Sequence, residues 1–401
     1  MKRLILFGLF LLAVIGVFGA VTASEEGKLL IWADDTRSPI MKELGAKFQA
    51  KYGIPVTVQE INFGDIRDQL GVAGPAGKGP DILIGPHDWL GKLVVNGLVA
   101  PLDLGKKKKD FLPVAVDAFT WAGTTYGMPY AIESIGLIYN KKLVPRPPKT
   151  WDELVKIGAK ISDKSKKQWG FLLPQPDPYH SFPLMSAGGA YVFGKNADGT
   201  LNPFDIGLNN AGAVRGMQLL VDLIKEGIMP LGVDYNTMTT LFKEGKVGMI
   251  LTGPWAFDDF LKAGVNFGFA PIPTIDGKKP RPFVGVQAFM VSSFSKNQLM
   301  AKAFLDEFVA TKETMLALFE RGRRPPVYLP AQKAIKDALT KGVLDSAAEG
   351  IPMPNIPEMD SVWAAWSNAI ELILNGKLSP QAALDEAVAQ IRTAIERSKK
   401  K

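Results

Sequence analysis

The stretch KLLIWADDTRSPIMKELGAKFQAKYGIPVTVQE, residues 28–60, decides the fold class. Its apolar start, Lys28–Trp32, is typical of a buried strand. A helix follows over about Ile40–Tyr52, and Val56–Glu60 forms a second strand. Strands and helices alternate in the same way along the rest of the chain. Alternation on this scale predicts an α/β protein with largely parallel sheets, covered on both faces.

Start signals for helices recur downstream. Thr150 and Glu153 form a capping box, and Asn209 or Asn210 opens a helix that runs to Glu226. The chain of 401 residues predicts two domains, with no low-complexity linker and no internal repeat. Further strands are predicted at Asp81–Gly85, VGMILTG (247–253) and FVGVQAFMVSS (283–293), and a final helix begins at Ser379-Pro380.

The first residues, MKRLILFGLFLLAVIGVFGAVTASEEG, have the layout of a secretory signal. A short basic region precedes an apolar run, and small residues follow where a signal peptidase cuts. We expect cleavage after Ala23, which makes residues 1–23 a signal peptide and places the mature protein outside the cytoplasm, as in a periplasm. The apolar run is also long enough to span a bilayer, so an uncleaved anchor is the alternative.

Composition narrows the function classes. The chain has no cysteine, so an exported protein of this size must rely on its hydrophobic core. The net charge is +7, and removal of Lys2 and Arg3 leaves about +5. The basic runs 106–109 and 399–401 are isolated and lack interleaved aromatic residues. They indicate a solvated loop and tail, and we expect no nucleic-acid partner.

Polar and aromatic loops follow five of the predicted strands. In open α/β sheets, ligands bind beyond the carboxyl ends of the strands. The sequence therefore predicts a cleft lined by these loops, which are ADDTR (33–37), GPHDW (85–89), AIES (131–134), PQPDPYHSF (174–182) and TGPWAFDD (252–259).

Carboxylates beside tryptophans suit the recognition of sugars. A pyranose places its apolar C–H faces on aromatic rings, while carboxylates accept and Arg donates hydrogen bonds at the polar rim. For any one residue alone, a core tryptophan or a capping aspartate is the more ordinary interpretation. The polar candidates are Asp34, Asp35, Arg37, Asp88, Glu133 and Asp177, and the aromatic candidates are Trp89, Tyr179, Trp255 and Trp363.

Other functions remain open at this point. The same carboxylates could serve a secreted glycoside hydrolase, which needs a pair about 5–9 Å apart. A receptor for a metal chelate or a polyamine is a third hypothesis. The chain has no dinucleotide or phosphate-binding glycine motif and no GxSxG elbow. His87 and His180 are its only histidines, and a loop hydrogen bond explains His87 better than a metal does. We expect no cofactor and no metal.

Several segments resemble the maltose/maltodextrin-binding proteins, which are extracytoplasmic receptors of ATP-driven sugar importers. The similarity covers nearly the whole mature length, in matching order and spacing. The segments that carry it are GPDILIGPHDW (79–89), IYNKKLVPRPPKTWDEL (138–154), GLNNAGAVRGMQLLVDLIKEG (207–227), LTGPWAF (251–257), KPRPFVGV (279–286) and MPNIPEMDSVW (353–363).

The resemblance implies a two-lobed periplasmic-binding-protein fold of type II, with discontinuous lobes joined by hinge crossings. Lobe I would comprise residues 24–132 and 286–333, and lobe II residues 133–285 and 334–401. A sugar would bind between the lobes and favour the closed form, which a membrane permease of the ABC transporter would receive. The resemblance implies a monomer that is not an enzyme.

The resemblance also assigns residues to sugar contact. Asp34 and Asp35 lie in the first sugar loop, which is one residue shorter than in the family, so their alignment is ambiguous. Positions that match sugar contacts are Asp88, Glu133, Tyr179, Trp255 and Trp363, with lesser roles for Tyr235 and Met353. Asp177 stands where the family often has Glu, and Arg37 where it often has Lys.

Three positions depart from the best-known maltose receptors. Gly85 replaces a stacking tryptophan, whereas Trp89 and Ser367 each replace an arginine. Maltose and maltotriose remain the first choice of ligand, and trehalose, other disaccharides and longer maltodextrins stay open.

The proline-rich segment IPMPNIPEMDSVWAAW, residues 351–366, raises a separate question about its two tryptophans. Asp360 or Ser361 is expected to cap a helix in which Trp363 and Trp366 lie three residues apart. We predict that Trp363 stacks on the sugar and that Trp366 packs in the core.

Overall fold

The structure is a computed structural model that describes residues 24–399. The predicted signal peptide, residues 1–23, lies outside the described residues. No helix within residues 24–399 combines the length and the apolarity that a bilayer span requires.

Strands and helices alternate over much of the described chain, as the sequence predicts, although residues 120–140 contain four strands in succession and residues 298–349 four α-helices. The strands are β1 Leu29–Ala33, β2 Val56–Glu60, β3 Ile82–Pro86, β4 Thr120–Trp121, β5 Thr124–Thr125, β6 Gly127–Ser134, β7 Gly136–Asn140, β8 Trp169–Leu172, β9 Gly194–Lys195, β10 Leu201–Asn202, β11 Val247–Thr252, β12 Phe267–Ala270, β13 Phe283–Val291 and β14 Ile351–Pro352. The α-helices are α1 Ser38–Tyr52, α2 Ile66–Ala73, α3 Leu90–Val95, α4 Pro113–Ala118, α5 Trp151–Ile161, α6 Pro178–Ser186, α7 Ala211–Lys225, α8 Tyr235–Lys243, α9 Phe257–Lys262, α10 Gln298–Phe304, α11 Lys312–Gly322, α12 Leu329–Gln332, α13 Ala338–Glu349, α14 Trp363–Leu374 and α15 Pro380–Ser398.

Two larger sheets organise the molecule, and both are mixed. In the six-stranded sheet the order is β14–β13–β3–β1–β2, with β6 also paired to β13. β13 runs antiparallel to β3 and β6, while β1 is parallel to β2 and β3. The four-stranded sheet has the order β12–β7–β11–β8, in which β7 is antiparallel to both neighbours. The expectation of largely parallel sheets is therefore wrong. The strands β7 and β13, which enter their sheets from the other lobe, run antiparallel to β11 and β12 and to β3, respectively.

Each sheet lies in its own hydrophobic core, so the protein is an α/β protein with two lobes. Buried residues of the six-stranded core come from 29–132 and 284–331. Those of the four-stranded core come from 135–283 and 343–395. Phe283 and Val284 are adjacent in β13 yet belong to different cores. Below, the six-stranded lobe and the four-stranded lobe denote these two bodies.

Strands β6 and β13 pass between the lobes side by side. They pair antiparallel, with Glu133 opposite Gly285 and Ser134 opposite Val284. The Ser134 hydroxyl donates to the Phe283 carbonyl oxygen at 3.0 Å. This pairing fixes the backbone of Glu133 at the crossing between the lobes.

Most predicted helix starts are confirmed. The Thr150 hydroxyl accepts from the Glu153 backbone amide at 3.2 Å. The Glu153 carboxylate accepts from the backbone amide of Lys149 and not from that of the cap residue Thr150. Asn210 caps α7, and Ser379 caps α15 with Pro380 in its first turn.

The predicted cap of α14 is wrong. Residues Pro357–Ser361 form a 3₁₀ turn, and neither Asp360 nor Ser361 gives α14 a side-chain cap. The Asp360 carboxylate instead forms ion pairs across the lobes, at 2.8 Å to Arg67 and 2.9 Å to Lys92. The 3₁₀ turn runs directly into α14, so that Val362 takes the N-cap position and neither predicted residue can occupy it.

Candidate functional site

A cleft of about 1000 Å³ lies between the two lobes. The loops after β1, β3, β8 and β11 and the end of β6 all contribute to it, as their placement at strand ends predicts. Ten of the twelve predicted site residues line this cleft, namely Asp34, Asp35, Asp88, Trp89, Glu133, Tyr179, Tyr235, Trp255, Met353 and Trp363.

Arg37 is one of the two predicted residues that do not line the cleft. Its side chain is buried beneath the wall, where Nε donates to the Tyr130 hydroxyl at 2.6 Å and Nη1 pairs with Asp34. The guanidinium also lies 5.1 Å from the ring centroid of Phe63. Arg37 therefore holds two groups of the cleft wall, the Asp34 carboxylate and the Phe63 ring.

Asp177 is the other predicted residue that does not line the cleft. Its carboxylate caps α6 by accepting from the His180 amide at 3.0 Å, and it lies 3.0 Å from Nδ1 of the same residue. Burial alone would raise the pKa of Asp177, but the His180 ring and nearby backbone amides lower it overall. In this structure Asp177 orients His180, whose ring lines the cleft.

Aromatic rings form a row on the four-stranded lobe, and all of them except the buried Phe283 line the cleft. The Tyr179 ring centroid lies 6.2 Å from that of Trp255 and 5.8 Å from that of Phe283. Phe283 connects the row to Trp363 at 6.1 Å, and His180 connects it to Tyr235 at 6.1 Å. Trp363 and Tyr235 therefore occupy the two ends of the row.

The two tryptophans of α14 have different environments. Their rings are parallel within 8°, with centroids 6.3 Å apart. Trp363 faces the cleft, whereas Trp366 is fully buried and packs edge-on against Phe182, as the sequence predicts for Trp366. Trp366 thus supports the ring that faces the ligand space.

Glu133 is the centre of a buried polar cluster. Its Oε1 accepts from Gln287 at 2.8 Å, and its Oε2 forms an ion pair with Nε of Arg324. The Arg324 guanidinium lies 5.5 Å from the Trp255 ring centroid, so it also contacts the aromatic row. Arg324 and Gln287 both line the cleft, and this arrangement couples the charged wall to the aromatic one.

His87 and Asp88 are adjacent, buried residues whose pKa values are shifted in opposite directions. Burial lowers the pKa of His87 to about 4. Its Nδ1 accepts from the Val286 amide at 3.1 Å, and its Nε2 lies 3.0 Å from the Met353 carbonyl oxygen, which fits a neutral ring protonated at Nε2. Burial raises the pKa of Asp88 to about 7, opposed by the charge of Arg67. His87 is therefore structural, holding Met353 at the cleft.

Asp88 and Tyr179 offer free polar atoms to a ligand. The Asp88 Oδ1 and Tyr179 Oη atoms are buried and have no hydrogen-bond partner among residues 24–399. Because an unpaired buried polar atom is costly, a ligand that bonds to either gains more than it would at a solvated atom. Both residues line the cleft.

Gly85 and Trp89 form a coupled pair. A β-carbon on Gly85 would lie 2.4 Å from Cε3 of Trp89, so the indole ring occupies the space above the glycine. The ring also lies against Phe63, with centroids 5.3 Å apart. A large side chain at position 85 and a tryptophan at position 89 thus exclude each other here, which gives the two departures from the resembled family a common physical reason.

Several lining residues were not predicted. Gln287 could have been found from the sequence, because a glutamine interrupts the apolar run FVGVQAFMV. Arg324 could not, because no residue of the run RGRRPP stands out from the others. A polar stripe on α8 could have been found from helical spacing. Thr36, Pro86, His180, Ala256 and Asp259 lie in the predicted cleft loops but were not named as site residues. The other lining residues that were not predicted are Asn62, Phe63, Gly64, Arg67, Asn236, Thr239, Thr240, Lys243, Phe260, Gln287 and Arg324.

Comparison with known proteins defines the class. The sequence profile of the bacterial extracellular solute-binding proteins matches residues 43–341, and the chain belongs to this family. The two-lobed α/β fold with a cleft between the lobes agrees with that assignment.

Individual relatives match over most of their lengths. A galactooligosaccharide-binding protein of Bacillus subtilis is 35% identical over 390 residues, 94% of this chain and 91% of the relative. A maltodextrin-binding protein of the same organism is 33% identical, covering 93% and 92%. A maltotriose-binding protein of Pyrococcus abyssi is 32% identical, covering 90% and 80%. Each of the three is named for a sugar that it binds.

Proposed function

We propose that this protein is an extracytoplasmic receptor that binds maltose- and maltotriose-type α-glucosides between its lobes and delivers them to the permease of an ABC transporter. The observation that carries the proposal is the pairing of an aromatic row on one wall with carboxylates on the other. Sugar rings present both an apolar face and a rim of hydroxyls, so one ligand would use both walls.

The proposed lobes are residues 24–132 with 286–333, and residues 133–285 with 334–401. The division of buried residues between the two cores supports these boundaries, since core membership changes between 132 and 135, between 283 and 284, and between 331 and 343. The crossing of β6 and β13 is the proposed hinge. Closure about it would bring Trp363 and Asp88 onto the same ligand.

A receptor function fits Glu133 better than a hydrolytic one. A glycoside hydrolase needs a carboxylic acid free to exchange a proton with the leaving group. Both carboxylate oxygens of Glu133 instead have protein partners, Gln287 and Arg324. We propose that the protein is monomeric and binds its ligand without a cofactor. Trehalose is the proposed alternative disaccharide.

A galactooligosaccharide is a second candidate ligand. The relative that is 35% identical is named for this sugar. The Gly85–Trp89 pair also alters one wall relative to the resembled maltose receptors, so that an indole ring leans on Phe63. Such a change in ring position would alter which sugar faces are accepted.

Calorimetric titration of residues 24–401 against four sugars tests the proposal. Maltose, maltotriose, trehalose and a β-galactotriose are compared at one pH, and the sugars are recovered and analysed after long incubation. The proposal expects saturable one-to-one binding, tightest for maltotriose, with all sugars recovered unchanged. Preference for the galactotriose supports the second candidate, released reducing sugar supports a hydrolase, and no binding to any of the four overturns the sugar-receptor proposal.

A further inference from the structure

Helix α8 presents a polar stripe to the cleft. Residues Tyr235, Asn236, Thr239, Thr240 and Lys243 all line it, at helical spacings that place them on one face. On the adjoining face of the helix, Met238 and Phe242 are fully buried. The stripe is thus a wall of the cleft supported by the core behind it.

The stripe continues from the end of the aromatic row. Tyr235 is the terminal member of that row and also the first residue of α8. From Tyr235 to Lys243 the helix rises about 12 Å, which is longer than one pyranose ring. The cleft therefore extends past the aromatic residues along a surface of hydroxyl, amide and ammonium groups.

The polar groups of the stripe are available to a ligand. The Thr239 hydroxyl donates to the Tyr235 carbonyl oxygen at 3.1 Å, so its own oxygen is free to accept. Lys243 forms no ion pair within residues 24–399, nor does Asp259, which lines the cleft from α9. Neighbouring Thr239 and Thr240 are also poor helix formers. Helix stability does not explain the presence of these two threonines, whereas their position on a cleft wall does.

We infer that the α8 stripe is an additional subsite, which takes a further sugar unit of an oligosaccharide longer than the one held by the aromatic row. The inference rests on the proposed sugar-receptor function and extends it to chain length. Hydroxyl and amide groups can bond to the hydroxyl rim of a sugar unit, and Lys243 or Asp259 can bond to it with charge assistance. A disaccharide held at the Trp363 end would not reach this subsite.

The test uses the double variant Thr239→Val/Thr240→Val, which removes two hydroxyls with little change of shape. Thr237→Val is the control, because Thr237 is exposed on the same helix and does not line the cleft. Dissociation constants are measured by calorimetry for maltose, maltotriose and maltotetraose, with Tm recorded for each variant.

The inference expects wild-type affinity to rise with chain length. The double variant should lose about fivefold or more for the longer sugars and less than twofold for maltose, while Thr237→Val changes none of the three. Lys243→Met should reproduce the same selective loss. Equal losses for maltose and maltotetraose, or no loss for either, would overturn the inference. Wild-type affinity that does not change with chain length overturns it while the receptor function stands. Failure of the wild type to bind any of these sugars removes the proposed function and the inference with it.

Discussion

The two walls of the cleft are built in different ways. On the four-stranded lobe, Tyr179, Trp255 and Trp363 are partly buried rings that pack against the hydrophobic core. On the opposite side, Asp34 of the six-stranded lobe and Glu133 at the crossing between the lobes are buried carboxylates, each already paired with an arginine. One wall is held by packing and the other by charge pairs.

Mutations in the two walls should therefore have different effects. A ring that packs on a core can be truncated at the cost of its contact with ligand and some packing. A buried carboxylate cannot be neutralised without leaving its arginine partner unpaired, which costs more than the pair contributes. The charged wall should therefore be the more sensitive of the two, and the following changes test this in order of decreasing effect.

Glu133→Gln should have the largest effect. It leaves the buried Arg324 guanidinium without an anion, at a cost of about 3–5 kcal/mol divided between folding and ligand binding. We expect maltotriose affinity to fall by about 100-fold or more and Tm to drop. Glu320→Gln is the control, because Glu320 is exposed on α11. Unchanged affinity, measured by calorimetry, would show that the Glu133 cluster is not part of the binding wall.

Trp363→Ala should weaken binding by about 2 kcal/mol, or 30-fold, through loss of one aromatic contact with the sugar. Trp366→Phe is the companion change, since Trp366 is fully buried behind it. It should lower Tm while keeping affinity within about threefold. If Trp366→Phe instead reduces affinity as much as Trp363→Ala, the assignment of one ring to the ligand and the other to the core fails.

Gly85→Ala should displace the Trp89 ring, because the added methyl group would lie 2.4 Å from it. Overpacking of this kind costs about 1–3 kcal/mol, and the shifted ring should alter tryptophan fluorescence and reduce sugar affinity. Gly64→Ala is the matched control. Gly64 also lines the cleft, but its β-carbon would meet no atom within 4 Å. Equal responses of the two variants would exclude a special role for the Gly85–Trp89 contact.

A change of pH should alter sugar affinity less than the substitutions described above. Burial raises the pKa of Asp88 to about 7 in the free protein. Sugar hydroxyls donate to the carboxylate form and so lower this pKa on binding, which means that binding releases a proton. Affinity should then rise by up to about tenfold from pH 6 to pH 8 and level off above.

Asp88→Asn is the control for this pH dependence, because an amide cannot titrate. It should flatten the profile between pH 6 and pH 8, measured by calorimetry in buffers of different ionisation enthalpy. An affinity that falls with rising pH in the wild type would show that the sugar bonds to the protonated carboxyl group instead.

The sequence predicts the fold class well because helix and strand patterns are local. The strand-helix-strand unit at residues 28–60 and the caps at Asn210 and Ser379 need no distant partner. The antiparallel entry of β13 could not be predicted this way, since it depends on pairing with β3 across about 200 residues. The same limit applies to Asp360, because its cationic partners Arg67 and Lys92 lie far away in sequence.

The site was predictable where residue type and strand end coincide. Asp88 and Trp255 follow strands closely, Glu133 is the penultimate residue of β6, and all three line the cleft. Arg37 also follows a strand, but the pairing of its guanidinium with Asp34 and Tyr130 turns it beneath the wall, which residue type does not reveal. Arg324 follows a helix and reaches the cleft only through tertiary packing.

A crystal structure of residues 24–401 grown with maltotriose would show whether one sugar contacts both walls of the cleft at once. We expect density for the sugar between the lobes, with a ring on Trp363 and hydroxyls within hydrogen-bond distance of Asp88. Sugar bound to one wall alone or outside the cleft, at saturating concentration, would contradict it.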